Sequence, residues 1–290
     1  MNELSIKLKK FDMSLLKDDS VIAMIAKRNS GKSVLCRDIL FHHRNIPVGL
    51  IISPTEKANS FYGDFVPDSF IHDEFDSLVI SKLLQRQEIL IHKQKQKQKI
   101  DPRAFLILDD CLYDNKWVKD PNMRSIFMNG RHYKLMFILT MQFALGIPPN
   151  LRTNIDYIFI LRENIVSNRK RLYDHYAGMF PTFEMFCKVM DKCTQDYECL
   201  VIHNGANSNK LEDQIFWYKA DFHPEFKMGS PKIWNYHKTR YNKHSGNPYL
   251  KHSLTNIDPM FCRQNKNKIS LKVEKSDQDD KDCKELKELL

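Results

Sequence analysis

Gly31, Lys32 and Ser33 stand between an apolar run of strand length, Val21 to Ala26, and a segment whose apolar residues (Val34, Leu35, Ile39, Leu40) are spaced for a helix. A strand, a polar loop and a helix in that order aim successive backbone N–H groups and a helix N-terminus at one anion. A lysine ammonium adds to them, and the chemistry is phosphate binding. Gly31 lets the backbone close in where a Cβ would obstruct it. In that reading Lys32 bridges the β- and γ-phosphates of a nucleoside triphosphate such as ATP, and Ser33 ligates Mg2+. The cradle is expected to comprise Ala26, Lys27, Arg28, Asn29, Ser30, Gly31, Lys32, Ser33 and Val34, with Ala26 where such loops usually carry their first glycine.

A second chemical feature is Phe105-Leu106-Ile107-Leu108-Asp109-Asp110, an apolar run ending in two carboxylates. Such a run suits a buried parallel strand whose C-terminal tip faces a site. Asp109 is expected beside Ser33, holding Mg2+ through its water shell, and Asp110 is expected to orient or deprotonate an attacking water. A nearby dication keeps both acids ionised. Gln142 ends another apolar run, Leu135 to Thr140. If that strand lies between the other two, its amide reaches the γ-phosphate or the attacking water without competing for the metal. Phosphoryl transfer also gains about 10³–10⁵ in rate from a cation that neutralises the transition state. Arg131 and Arg152, each just before a strand, fit that role toward a neighbouring subunit's nucleotide; each fits a surface arginine equally well.

These residues need a frame to hold them. Strands are expected at Val21–Ala26, Val48–Ser53, Phe105–Asp110, Leu135–Thr140, Tyr157–Leu161, Glu198–His203 and Gln214–Tyr218. Helical patterns fall between them, at about Lys32–Arg44, from Asp76 onward, Pro121–Met128, Ile165–Tyr176 and Phe183–Lys192. Strands separated by helices predict an α/β fold, a parallel sheet covered on both faces. The long helix runs into Lys93-Gln94-Lys95-Gln96-Lys97-Gln98-Lys99, which reads as a solvated helix end.

Composition narrows the remaining classes. A hydrophobic share of 42% argues for a globular body, and a net charge of +9 favours polyanionic partners. No run approaches the roughly 20 apolar residues of a membrane span, and the N-terminus has no apolar signal segment. Seven cysteines without close pairs fit a reducing compartment. Cys187, Cys193, Cys199 and His203 match no common zinc framework and read as core cysteines.

The set AKRNSGKS, FLILDD, NGRHYKL, ILTMQ and IPPNLRTNIDYIFILRE resembles the DNA-packaging ATPases of nucleocytoplasmic large DNA viruses. That poxvirus-type family is a branch of the HerA/FtsK group of P-loop ATPases. The likeness covers about Val21 to His203. It implies a RecA-like core with an additional strand between the phosphate-loop strand and the acidic strand. It further implies ATP and Mg2+ as cofactors, a homo-oligomeric ring, and double-stranded DNA drawn through it without sequence preference. A capsid or portal protein as partner, and location in the virion or the host cytoplasm's viral factory, follow from the same resemblance. Many members of the wider group carry Glu after the metal-binding Asp, and Asp110 is one methylene shorter. The expected division is an N-terminal extension (1–20), an ATPase domain (21–222) and a basic, aromatic, then charged C-terminal extension (223–290). Lys232, Lys238, Arg240, Lys243 and Lys251, interleaved with Trp234, Tyr236, Tyr241 and Tyr249, offer a DNA contact or a basic tail folded over the body. Three other functions use some of these letters: a different HerA/FtsK-type DNA translocase, a small-molecule kinase with an arginine-rich lid, and a non-catalytic capsid or DNA-binding protein.

Overall fold

The computed structural model describes residues 7–111 and 116–241. Elements follow the chain as β1 (Lys9–Lys10), β2 (Val21–Ile25), α1 (Lys32–His42), β3 (Gly49–Ile52), α2 (Glu56–Asn59), β4 (Ile71–His72) and α3 (Ser77–Lys95). Then come β5 (Ala104–Asp109), α4 (Lys116–Lys119), α5 (Pro121–Asn129), β6 (Leu135–Met141), α6 (Pro149–Arg152) and β7 (Tyr157–Ile160). The described chain closes with α7 (Val166–Tyr176), α8 (Phe183–Cys193), β8 (Glu198–His203), α9 (Leu211–Gln214), β9 (Ile215–Lys219) and α10 (Pro231–Arg240).

Every residue of β2, β3, β5, β6 and β7 is buried. Continuous apolar runs of this kind suit central parallel strands covered on both faces. Successive side chains of one strand point to opposite faces. Val21, Ala23 and Ile25 therefore join Leu106, Leu108, Phe137 and Leu139 under α3, α5, α7 and α8. Ile22 and Met24 join Phe105, Ile107, Met136 and Ile138 under α1. Each such side chain taken fully from water contributes about 1.5–3 kcal/mol. Helix starts are fixed locally: the Asp76 carboxylate accepts from the Leu78 N–H, and the Asp120 carboxylate from that of Met123 just after Pro121.

The nine strands run in the order β1-β9-β8-β7-β2-β6-β5-β3-β4. β6 therefore lies between β2 and β5 and pairs parallel with both, the additional-strand arrangement. β8 is antiparallel to β7 and to β9, which makes the sheet mainly parallel. Val21 pairs with Phe137, and Asp109 with Thr140, so the C-terminal tips of the three central strands align.

Two boundaries move relative to the sequence reading. Residues 7–20 are part of the body, because β1 pairs with β9 and Phe11, Met13 and Leu16 are buried. The chain from His223 to Tyr241 also lies on the body: the Met228 N–H donates to Phe65 O, the Ser230 N–H to Pro47 O, and Met228 is fully buried. It includes α10, a helix the sequence pattern did not mark. Lys243, Tyr249, Lys251 and the charged stretch 263–290 lie outside the described residues, as do Cys262 and Cys283. Cys36, Cys111, Cys193 and Cys199 are buried free thiols. The lysine run at the end of α3 is exposed. Among the described residues no helix is long and apolar enough to cross a membrane.

Gly49 tests the packing between β3 and β5. A Cβ there would stand 2.2 Å from the ring of Phe105, which is 1% exposed and has no room to swing. Gly49→Ala is expected to cost roughly 1–3 kcal/mol, read as a lower denaturation midpoint at unchanged denaturant slope.

Candidate active site

The loop after β2 curls through two left-handed residues, Asn29 (φ 59°) and Gly31 (φ 92°), before α1 begins at Lys32. Its first residue, Ala26, is 3% exposed and donates its N–H to Met141 O, which ties the loop's base to the tip of β6. Ser30 Oγ donates to Lys27 O at 2.6 Å and closes the turn. Tyr197, also left-handed (φ 65°), walls the loop from the β8 side: a Cβ on Gly31 would meet its ring at 3.2 Å. Glycine at 31 thus answers both to backbone angle and to space.

Lys32, 9% exposed, reaches across to the tip of β5. Its Nζ pairs with Asp110 Oδ1 and stands 4.0 Å from Asp109 Oδ1. Thr140, opposite Asp109 in register, donates its hydroxyl to Asp109 Oδ1 at 2.5 Å and accepts the Asp110 N–H at 3.0 Å. Ser53 Oγ donates to Asp109 Oδ2 at 3.3 Å. Gln142 Nε2 donates to Asp110 Oδ2 at 3.2 Å. The structure therefore gathers Lys32, Asp109, Asp110 and Gln142 at one end of the sheet. The backbone at Asp110 is left-handed (φ 52°), a conformation that costs of order 1–3 kcal/mol and persists where its surroundings over-determine it.

Arg131 and Arg152 are not brought to this cluster. Arg131 pairs with Asp156, whose other oxygen accepts the Val21 N–H at 2.8 Å, so it lies at the N-terminal end of the strands. Arg152 Nε donates to Ile147 O at 3.0 Å, and its guanidinium lies 5.4 Å from the Tyr176 ring centre.

Four residues beside the site carried no assignment from sequence: Ser53, Thr140, Glu163 and Tyr197. The hydroxyls at strand tips were the available signal for the first two. Glu163, 6% exposed, pairs with Lys27 of the loop at 2.5 Å and accepts from the Ile165 N–H and from Asn168. Burial pushes its carboxyl upward, but those donors hold it below the ordinary glutamate value. A cavity of about 210 Å3 opens between Lys27, Gln142, Phe143, Glu163 and Arg171. Burial first, then the Asp109 and Asp110 charges, push the Cys111 thiol up to about 12, so no thiolate nucleophile stands at this site.

The donor set suits a hard dication: the Asp109 carboxylate, oriented by two hydroxyls, and the Ser33 hydroxyl at the start of α1 are oxygen ligands of the kind Mg2+ takes with phosphate oxygens. Phosphate loop, acidic strand tip and a polar residue on the strand between them define a P-loop ATPase with a RecA-like sheet. The chain belongs to the Poxvirus A32 protein family, whose model matches residues 8–215. It is 44% identical over 278 residues to an uncharacterized protein of Acanthamoeba polyphaga mimivirus, covering 94% of this chain and 97% of that one. It is 40% identical over 228 residues to an uncharacterized protein of Invertebrate iridescent virus 6, covering 77% and 87%. Its fold is similar to the genome packaging NTPase B204 from Sulfolobus turreted icosahedral virus 2 in complex with AMP, with a TM-score of 0.51 and 17% identity over 71% of this chain and all of that one.

The Thr140 hydroxyl should matter out of proportion to its size, since it serves both carboxylates. Thr140→Val is expected to lower ATP turnover about 10–100-fold, the loss of a hydrogen bond to a charged group at about 1.5–3 kcal/mol. Steady-state rates beside an unchanged circular dichroism spectrum check it.

Proposed function

We infer that the protein is an ATP-hydrolysing motor that translocates double-stranded viral DNA into the capsid. The observation that carries this reading is Lys32 within reach of both Asp109 and Asp110, with Gln142 delivered to Asp110 by the strand between them. Backbone N–H groups of the loop after Ala26, through Val34, cradle the phosphates, and Lys32 turns from Asp110 to the β- and γ-oxygens. Asp110, relieved of its ammonium, accepts hydrogen bonds from the attacking water and draws off its proton. Gln142 Nε2 is then free to bond the γ-phosphate, linking the nucleotide's state to β6. Ser33 and Asp109 hold Mg2+, which when bound neutralises charge on the phosphates.

The working unit is a homo-oligomeric ring acting in the virion or viral factory, against a capsid or portal protein. The net charge of +9 and the exposed Lys232, Lys238 and Arg240 of α10 favour phosphate contacts without base readout. Arg131, exposed yet paired with Asp156, is the candidate to leave that partner and serve a neighbouring subunit's nucleotide. Arg152 is the second candidate.

Linear duplex DNA is expected to raise the ATPase rate several-fold, and Lys32→Ala to abolish basal and stimulated turnover together. A rate indifferent to DNA, with phosphate passing to a nucleoside acceptor, would replace the motor by a kinase. For the arginine, Arg131→Ala subunits mixed with Asp109→Ala subunits should recover activity that neither has alone. No recovery at any ratio removes Arg131 from that role.

A further inference from the structure

We propose that Asp38, His42 and His223 form a binding site for a divalent transition ion of the zinc type, which fastens the chain after β9 to the phosphate-loop helix. Nothing in ATP hydrolysis calls on these three residues. Asp38 and His42 lie one turn apart on α1, with His42 Nε2 3.5 Å from Asp38 Oδ1. His223, beyond β9, brings its Nε2 to 2.5 Å from the same oxygen. One oxygen and two imidazole nitrogens thus converge, all within 4.8 Å of one another. Zinc with ligands at about 2.0–2.2 Å in a tetrahedron sets them about 3.3–3.5 Å apart. One edge already has that length, and the short one opens by about 1 Å as the metal enters.

The surroundings prepare Asp38 to bind through one oxygen. Its Oδ2 accepts from Tyr218 OH at 2.6 Å and from the Asp221 N–H at 3.4 Å, which leaves Oδ1 facing the histidines. Outer hydrogen bonds of this type orient metal-binding carboxylates. The His223 ring stacks on Phe41 with centroids 3.8 Å apart and planes 7° apart, which fixes the direction of its nitrogen. Asp38 is fully buried, and among the described residues its ion-pair partners are these two histidines, with no lysine or arginine. A buried carboxylate whose partners are two imidazoles offers a dication a compensating charge and two further ligands. The cluster is reached from solvent at His42, whose side chain is 40% exposed. A cavity of about 760 Å3 reaches His42, Tyr218 and Asp221; Asp12 on its wall attracts cations, Lys10 opposes them, and Asp18 is already paired with Arg103 and His43. Two imidazoles and one carboxylate are the donor set of zinc and related first-row ions rather than of Mg2+.

The experiment uses the full chain, stripped with chelator, dialysed and titrated with Co2+, which Zn2+ then displaces. One Co2+ per chain is expected, with the visible bands of nitrogen and oxygen ligands and no thiolate-to-metal charge transfer. Asp109→Ala, which removes the nucleotide-site carboxylate, is expected to leave this binding intact. His42→Gln and His223→Gln are expected to weaken it about 100-fold or more, and Tyr218→Phe about 10–100-fold. His42 is 40% exposed, so its variant keeps the fold, and its DNA-free ATPase rate should be that of the parent. Zn2+ should also raise the melting temperature of the parent and of Asp109→Ala but not of His42→Gln. Binding that is lost with Asp109, that carries a thiolate spectrum, or that is untouched by His42→Gln overturns the proposal. In each of those cases the three residues are a hydrogen-bonded network only.

Discussion

One ammonium answers for two carboxylates at the tip of β5, and the geometry of the site follows from that balance. Lys32 is almost wholly buried, so its charge is worth far more there than on the surface, and so is the cost of leaving it alone. The neutral donors Thr140 and Gln142 from β6 and its tip, and Ser53 from the tip of β3, share the surplus negative charge. None of them adds charge, so a nucleotide's phosphates can take Lys32 without leaving the acids unsupported. What remains at Asp109 and Asp110 after that exchange is a negative pocket lined with oxygen, which is the environment a hard dication completes.

That balance depends on register. In a parallel sheet a slip of one residue turns every side chain to the other face. Here Ile22, Met24, Phe105, Ile107, Met136 and Ile138 must all face α1, while their neighbours face α3, α5, α7 and α8. The burial of these residues forbids the slip, and the alignment of Asp109 with Thr140 comes with it. Core packing thus places the acidic pair and the hydroxyl that orients it.

Continuous apolar runs made the central strands readable, because a strand buried on both faces tolerates little else. The phosphate loop and the acidic pair were readable because their chemistry constrains residue type as well as position. Ser53 and Thr140 were not, since a hydroxyl at the end of an apolar run looks the same whether it caps a strand or orients a carboxylate. Glu163 and Tyr197 meet the loop from elements far along the chain, and spacing carries no information about that encounter. β1 has two residues, and α10 has a weak apolar face between prolines and glycines, so neither leaves a periodic trace. The arginines teach a different point. Arg131 precedes β6 and Arg152 precedes β7; in parallel strands whose C-terminal tips hold the site, such residues belong at the far end. Their separation from Lys32 was implicit in the topology.

Helix α1 joins the two ends of this molecule's chemistry. Its eleven residues span about 16 Å. The first turn carries Lys32 and Ser33, the middle buries Leu35, Cys36, Ile39 and Leu40 against the sheet, and the C-terminal half carries Asp38 and, one turn on, His42 toward the chain after β9. Close-packed interiors move as rigid pieces rather than deforming smoothly. His223 holds the chain after β9 to α1, and farther along the Met228 and Ser230 N–H groups hold it to Phe65 and Pro47, just before α10 with its exposed basic residues. Asp38 ties this helix to the chain after β9 through the Asp221 N–H and His223, so whatever strengthens the Asp38 cluster stiffens that linkage.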